Sequence, residues 1–198
     1  MIAILDYGSG NLRSAQRAFE LTGHRVQITS EADVALSSDG LVVPGVGAFG
    51  ACMEQLSQIK GADIIRSMIE ADKPLFGICV GMQILFSEGV EKGTHQGVGI
   101  FAGTISRIDA PILPHMGWNT VSVPNGSQLF DGVTDESFYF VHSYAAKGAI
   151  DGAKVTTASY GEDFVAAVER GKVSATQFHP EKSGKAGALL IKNWAQIL

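Results

Sequence analysis

Between residues 2 and 88 short apolar runs alternate with stretches of helical periodicity, and few architectures tolerate that alternation. "IAILDY" (Ile2 to Tyr7) has the length and β content of a strand, and "NLRSAQRAFEL" after it puts Leu12, Ala15 and Phe19 on one helical face. "HRVQIT" and "LVVPG" read as second and third strands, "FGACMEQLSQI" as a helix, and "KPLFGIC" as a fourth strand entering a helix "VGMQILFSE". Strands joined through helices call for a parallel sheet covered on both faces, with its sites at the carboxyl ends of the strands. After about residue 97 the character changes. "IFAGTISRID", "MGWNTVSV", "FYFVHSY", "KVTTASY", "FVAAVE" and "VSATQF" are β-type runs with little helix between them, and "ERGK" (Glu169 to Lys172) reads as a hairpin turn. Antiparallel additions to the sheet are expected there. The chain closes on a predicted helix whose Ala186, Leu189, Leu190, Trp194 and Ile197 form an apolar stripe for packing on the sheet. The predicted class is α/β: a central mixed, largely parallel sheet flanked by helices, with antiparallel additions in the second half.

The 198 residues are 45% hydrophobic, enough for one compact core and marginal for two, so a single domain over 1–198 is expected. Acidic side chains outnumber basic ones by 20 to 15, giving a formal net charge of −5, and no Lys/Arg block is present; nucleic acid is not an expected partner. The opening "MIAILDYGSGNLRS" has no basic segment ahead of its apolar stretch and reads as a first strand, not a secretory leader. No apolar run approaches the roughly 20 residues of a membrane span, so no membrane partner is expected. Cys52 and Cys79 are the only cysteines, which fits a reducing, cytoplasmic setting. The five histidines, His24, His95, His115, His142 and His179, show no metal-ligand spacing, and no metal is expected.

Gly77-Ile78-Cys79-Val80-Gly81 joins the fourth strand to its helix. A nucleophile held in a sharp strand-to-helix turn needs small residues two positions to either side, because neighbouring chain passes close beneath it. The helix N-terminus also favours the thiolate form. The competing reading is a core cysteine in a glycine-containing turn. "QFHPEK" (Gln177 to Lys182) supplies a base: His179 ends an apolar run where Pro180 stops the strand, and Glu181 can accept the second ring N–H. Acyl transfer also needs donors for a developing oxyanion. "VVPGVGAFG" offers the N–H of Val46 or Gly47, to act with that of Val80. A phosphate cradle would need a lysine that this loop lacks. His24 and His95 read as exposed, His115 and His142 as satisfied structural groups, and Cys52 as a packing residue.

The elbow, the P-G-x-G loop and the H-P-E turn together resemble the class I (triad) glutamine amidotransferases, which hydrolyse glutamine and pass ammonia to a synthase. "DYGSGNLRS" (6 to 14), "PGVGAFG" (44 to 50), "PHMGWN" (114 to 119) and "YFVHSY" (139 to 144) narrow the resemblance to the branch serving imidazole glycerol phosphate synthase in histidine biosynthesis. The resemblance spans essentially the whole chain. Val80 stands where leucine is commoner, a small departure because only its N–H would act. What it implies is a Cys79 nucleophile, His179 as base and then acid, and Glu181 as orienter. Gln83 and Glu91 would hold the amino-acid end of L-glutamine, with the backbone near Ser143 and Tyr144. It further implies a heterodimer with a (β/α)₈ barrel cyclase subunit, for which Asn11, Trp118 and Lys182 are interface candidates, and no cofactor. A glutaminase running without its synthase would waste glutamine. The oxyanion loop is therefore expected to be out of position until the synthase subunit binds its own ligand, with Gly45 and Gly47 easing its reorientation. The alternatives are a glutaminase for another synthase, including a pyridoxal-phosphate-forming complex, and a non-catalytic module with a relic cysteine.

Overall fold

The computed structural model covers residues 1–198. In chain order its elements are β1 (Ile2–Leu5), α1 (Leu12–Glu20), β2 (Val26–Thr29), α2 (Ala32–Ser37), β3 (Gly40–Gly45), α3 (Phe49–Gln58), α4 (Gly61–Glu70), β4 (Leu75–Cys79), α5 (Val80–Gln83), β5 (Phe86–Gly89), β6 (His95–Gln96), β7 (Phe101–Arg107), β8 (His115–Thr120), β9 (Ser137–His142), β10 (Tyr144–Ala145), β11 (Lys154–Tyr160), β12 (Glu162–Arg170), β13 (Val173–Thr176), a 3₁₀ turn (Pro180–Lys182) and α6 (Gly184–Ala195). A seven-stranded sheet in the order β11-β12-β13-β4-β3-β1-β2 forms the centre. Its β2, β1, β3, β4 and β13 run parallel, while β12 and β11 are added antiparallel at one edge.

Every residue of β1, β3, β4 and β13 is buried, as expected for strands covered on both faces. Helices α1 and α6 pack against one another, and α2 and α3 each pack on α4. Phe19, Phe76 and Trp194 tie α1, β4 and α6 together through edge-to-face contacts with ring centroids 5.5–5.8 Å apart. The pairing that matters most for function is β13 with β4, in register Val173↔Leu75 to Thr176↔Ile78. Parallel pairing puts the carboxyl ends of both strands on one rim, so the segment after residue 176 emerges beside the segment after residue 78.

Several expectations need correction. The apolar run after Cys79 is not a nine-residue helix: α5 is one turn, and Phe86–Gly89 is a strand of a second sheet, ordered β10-β7-β5-β6. Met82, Ile84, Leu85 and Phe86 are all buried, so this run has no solvent face to betray its period, and a short all-apolar segment serves as helix or strand equally well. Only β11 and β12 among the second-half strands extend the main sheet antiparallel. β8 and β9 make a separate hairpin with alternating burial along each strand, which covers the rim without joining the sheet. The short helix α2 and the ten-residue α4 fall where the sequence reading placed nothing. In α6 the buried stripe is Ala186, Gly187, Leu190, Ile191, Trp194 and Ala195, whereas Leu189 is 37% exposed and Ile197, past the end of the helix, 36%.

Candidate active site

Cys79 ends β4 with φ 56° and ψ −113°, a backbone conformation few non-glycine residues adopt. Its flanking glycines are explained by what surrounds them. A Cβ on Gly81 would lie 1.8 Å from the Val43 carbonyl oxygen, and one on Gly77 would lie 3.0 Å from the Gly81 carbonyl oxygen. Gly45 stands opposite Cys79 in the β3–β4 register, and a Cβ there would come within 2.6 Å of the Gly81 nitrogen. Three glycines thus let β3 and the turn after β4 pass in near contact, and the strain concentrates on the residue presenting its sulfur. The helix that begins after Cys79 is only one turn long, shorter than the sequence suggests.

His179 follows β13 and is pinned by its backbone: its N–H donates to the Tyr139 carbonyl at 2.9 Å, and its carbonyl accepts from the Ser183 hydroxyl at 2.7 Å. The ring Nδ1 lies 2.8 Å from Glu181 Oε1, with both side chains only 3% exposed. Nε2 is buried without a hydrogen-bond partner. Burial works against charge on this ring, but the Cys79 sulfur and the Glu181 carboxylate outweigh it and raise the imidazole to about 9. The sulfur acts on the ring by proximity, since no hydrogen bond from Nε2 is completed.

A cleft of about 290 Å³ opens at this rim, at the small end for ligand sites. Cys79, Val80, Gln83, Glu91, Ser143, Tyr144 and His179 line it together with Val46 and Gly47. Cys79 is 4% exposed and lines this cleft. Glu91 Oε2 accepts from the Phe49 N–H at 3.1 Å, which fixes its carboxylate against the start of α3. Gln83 Nε2 donates to the Tyr144 carbonyl at 2.8 Å and to Gln177 Oε1 at 3.0 Å. In the loop after β3 the Val46 peptide is held from beneath. Ser9 Oγ accepts from the Val46 N–H at 3.0 Å and donates to the Val46 carbonyl at 2.8 Å, where Cys52 Sγ also donates at 3.3 Å. Burial pushes the Cys52 thiol up, so it stays a protonated donor. The two loop glycines differ in role: Gly47 has φ +97° with open space around it, whereas Gly45 is there for close approach.

The sequence reading assigned no site role to Gln177, which lies behind the cleft, or to Pro114, Val141 and His142, which line it. Gln177, fully buried, directs Nε2 to Cys79 Sγ at 3.8 Å; the signal available was a polar side chain at the end of an apolar run, two residues before His179. His142 also lines the cleft and is paired with His115. Of the surface candidates, Asn11 caps α1 and shares a small crevice with His179 and Glu181, Lys182 is exposed on the 3₁₀ turn, and Trp118 is 59% exposed with its ring against Tyr139. His24 and His95 are half-buried, not exposed. No cluster of three or more His, Cys, Asp or Glu side chains is arranged to hold a metal ion, and no helix is long and apolar enough to cross a membrane.

The profile of the family described as glutamine amidotransferase class-I matches residues 3–196. A protein named imidazole glycerol phosphate synthase subunit HisH, from Nocardia farcinica, is 54% identical over 206 residues, covering 100% of this chain and 98% of that protein. Its namesake from Mycobacterium bovis is 54% identical over 202 residues with the same coverage. A solved crystal structure of a glutamine amidotransferase superposes with a TM-score of 0.77 over 98% of both chains at 20% identity, a likeness of fold. A profile matching all but the first and last two residues, and relatives more than half identical across the whole chain, leave one placement: the chain belongs to the class-I glutamine amidotransferase family.

Proposed function

We propose that the chain is the glutaminase subunit of an imidazole glycerol phosphate synthase, hydrolysing L-glutamine through a cysteine thioester and delivering the ammonia to a cyclase partner in histidine biosynthesis. The observation that carries the chemistry is the buried His179, tied at Nδ1 to Glu181 and left free at Nε2 beside Cys79. The synthase assignment is supported by full-length relatives bearing that subunit's name.

In this reading Cys79 Sγ attacks the carboxamide carbon. The oxygen takes up negative charge against the Val80 N–H and a second N–H from Val46 or Gly47. His179 Nε2 gives its proton to the departing ammonia and then takes one from the water that cleaves the thioester, while Glu181 keeps the ring oriented. Gln83, Glu91 and the Ser143–Tyr144 backbone hold the amino-acid end of the substrate. As it stands the Val46 N–H is committed to Ser9, so one oxyanion donor is withheld. If Val46 is the donor used, the loop turns over before full activity, and binding of the liganded partner is the event proposed to turn it. Two free thiols fit a reducing compartment.

The test measures glutamate release with and without a purified cyclase subunit and its nucleotide ligand. Wild type should be slow alone and fast in the liganded complex, and Cys79→Ala should lose about 10⁴-fold or more in the complex. Undiminished turnover in Cys79→Ala would remove the mechanism, and equal high rates with and without partner would remove the gating.

A further inference from the structure

The hydrogen bonds around His115 and His142 admit one consistent placement of protons. His142 Nδ1 lies 3.1 Å from the Tyr144 carbonyl, which can only accept, so Nδ1 carries the hydrogen and Nε2 of the neutral ring is bare. His142 Nε2 is 3.0 Å from His115 Nδ1, which must therefore donate. His115 Nε2 is then bare and faces the Asn119 amide nitrogen at 3.4 Å, whose other hydrogen goes to the Ser159 carbonyl at 3.0 Å. Both rings are buried, 3% and 6% exposed, and stacking of His115 between Phe140 and Tyr160 at 4.9 and 4.1 Å leaves it no room to turn. Burial lowers both, His142 to about 3, so both stay neutral.

The array continues into the cleft. The Tyr144 carbonyl that accepts from His142 accepts also from Gln83, whose second amide hydrogen goes to Gln177, and Gln177 in turn points its own amide nitrogen at Cys79 Sγ. Two donor series thus meet at the Tyr144 carbonyl: one runs from Asn119 on β8 through the two rings to that oxygen, and the other starts at Gln83, which donates both to that oxygen and, through Gln177, toward the nucleophile. We propose that His142, held in one tautomer between the Tyr144 carbonyl and His115, is a positioning residue for substrate: its Nδ1–H fixes the Tyr144 carbonyl, which also holds the Gln83 amide, in the orientation that receives glutamine. This rests on the glutaminase reading of the cleft.

The geometry predicts a split between isosteres. The amide nitrogen of asparagine occupies the place of histidine Nδ1, whereas that of glutamine reaches the place of Nε2. In the complex with the cyclase subunit and its ligand, His142→Asn should hold the KM for glutamine within about twofold of wild type, as expected for one retained hydrogen bond. His142→Gln and His142→Leu should raise KM about five- to tenfold, the effect of losing one such bond, with a smaller change in kcat. A second readout does not need turnover: glutamine protection of Cys79 from iodoacetamide should weaken by the same factor in His142→Gln. If His142→Leu fails to fold, the Asn and Gln variants still decide. An Asn variant as impaired as the Gln variant would reduce His142 to packing and overturn the proposal. So would Gln-variant protection equal to wild type. Absence of glutamine protection in wild type itself would instead sink the glutaminase reading.

Discussion

His142 and His179 stand on one cleft and titrate in opposite directions, and the signs lead to a measurable pH profile. The folded His179 is raised to about 9 against an ordinary 6.5, so it binds its proton more tightly folded than unfolded. Its contribution to stability is complete below about pH 6.5 and is lost as pH rises through 9. The folded His142 is lowered to about 3, so below pH 6.5 the unfolded chain takes up a proton that the folded one refuses. Stability therefore falls as pH drops from 6.5 toward 3, with a slope of up to about 1.4 kcal/mol per pH unit from this group. Urea unfolding across pH 4 to 9 should show His179→Gln flattening the alkaline limb and His142→Asn flattening the acid limb. A wild-type profile without either limb, or variants that leave both unchanged, would contradict the assignment.

At the scale of elements, the turn between β4 and α5 works because its glycines are too small to collide. The G-x-C-x-G spacing was legible in sequence because the constraint is local, two residues to each side of Cys79. What the glycines avoid was not legible, since Val43 belongs to β3 and reaches Gly81 only through sheet pairing. Gly81→Ala would drive a methyl group into the Val43 carbonyl, and with backbone on both sides nothing can yield cheaply. A loss of about 3 kcal/mol or more in urea unfolding is expected, together with loss of Cys79 reactivity. Gly47→Ala meets open space and carries only the strain of positive φ, about 1 kcal/mol. Equal costs at the two positions would refute the close-approach account. The overlooked α4 had a readable pattern in Ile64, Ile65 and Met68, whereas the six residues of α2 carry too little periodicity to separate helix from loop.

For the molecule as a whole, the functional rim gathers residues from most of the chain, and its outer edge carries side chains that the core does not need. Trp118 is 59% exposed and Met116 62% exposed on the outward face of β8, with Val46, Asn11 and Lys182 around the same end of the sheet. An indole left this open stabilises the isolated chain little and suits an anchor in a partner pocket. In the proposed complex, Trp118→Ala should weaken association with the cyclase subunit by about 2 kcal/mol, roughly 30-fold in Kd, while leaving the melting temperature of the isolated chain within about 2 °C of wild type. Titration calorimetry and thermal unfolding of the same preparations test both halves. Unchanged affinity would move the interface elsewhere.

The sequence by itself determined the alternating α/β plan of the first half, the strained cysteine turn, the histidine and glutamate after the last strand, and the glycine loop. Each of these is a short-range demand on backbone conformation, length or burial, so a few neighbouring residues suffice to state it. Only the tertiary structure decided that β13 lies beside β4, which brings His179 to Cys79, and that Ser9 holds the Val46 peptide and His115 pairs with His142. Those contacts join residues 27 or more positions apart, and their existence depends on strand order and on the direction of single hydrogen bonds, quantities that no local pattern of side chains encodes.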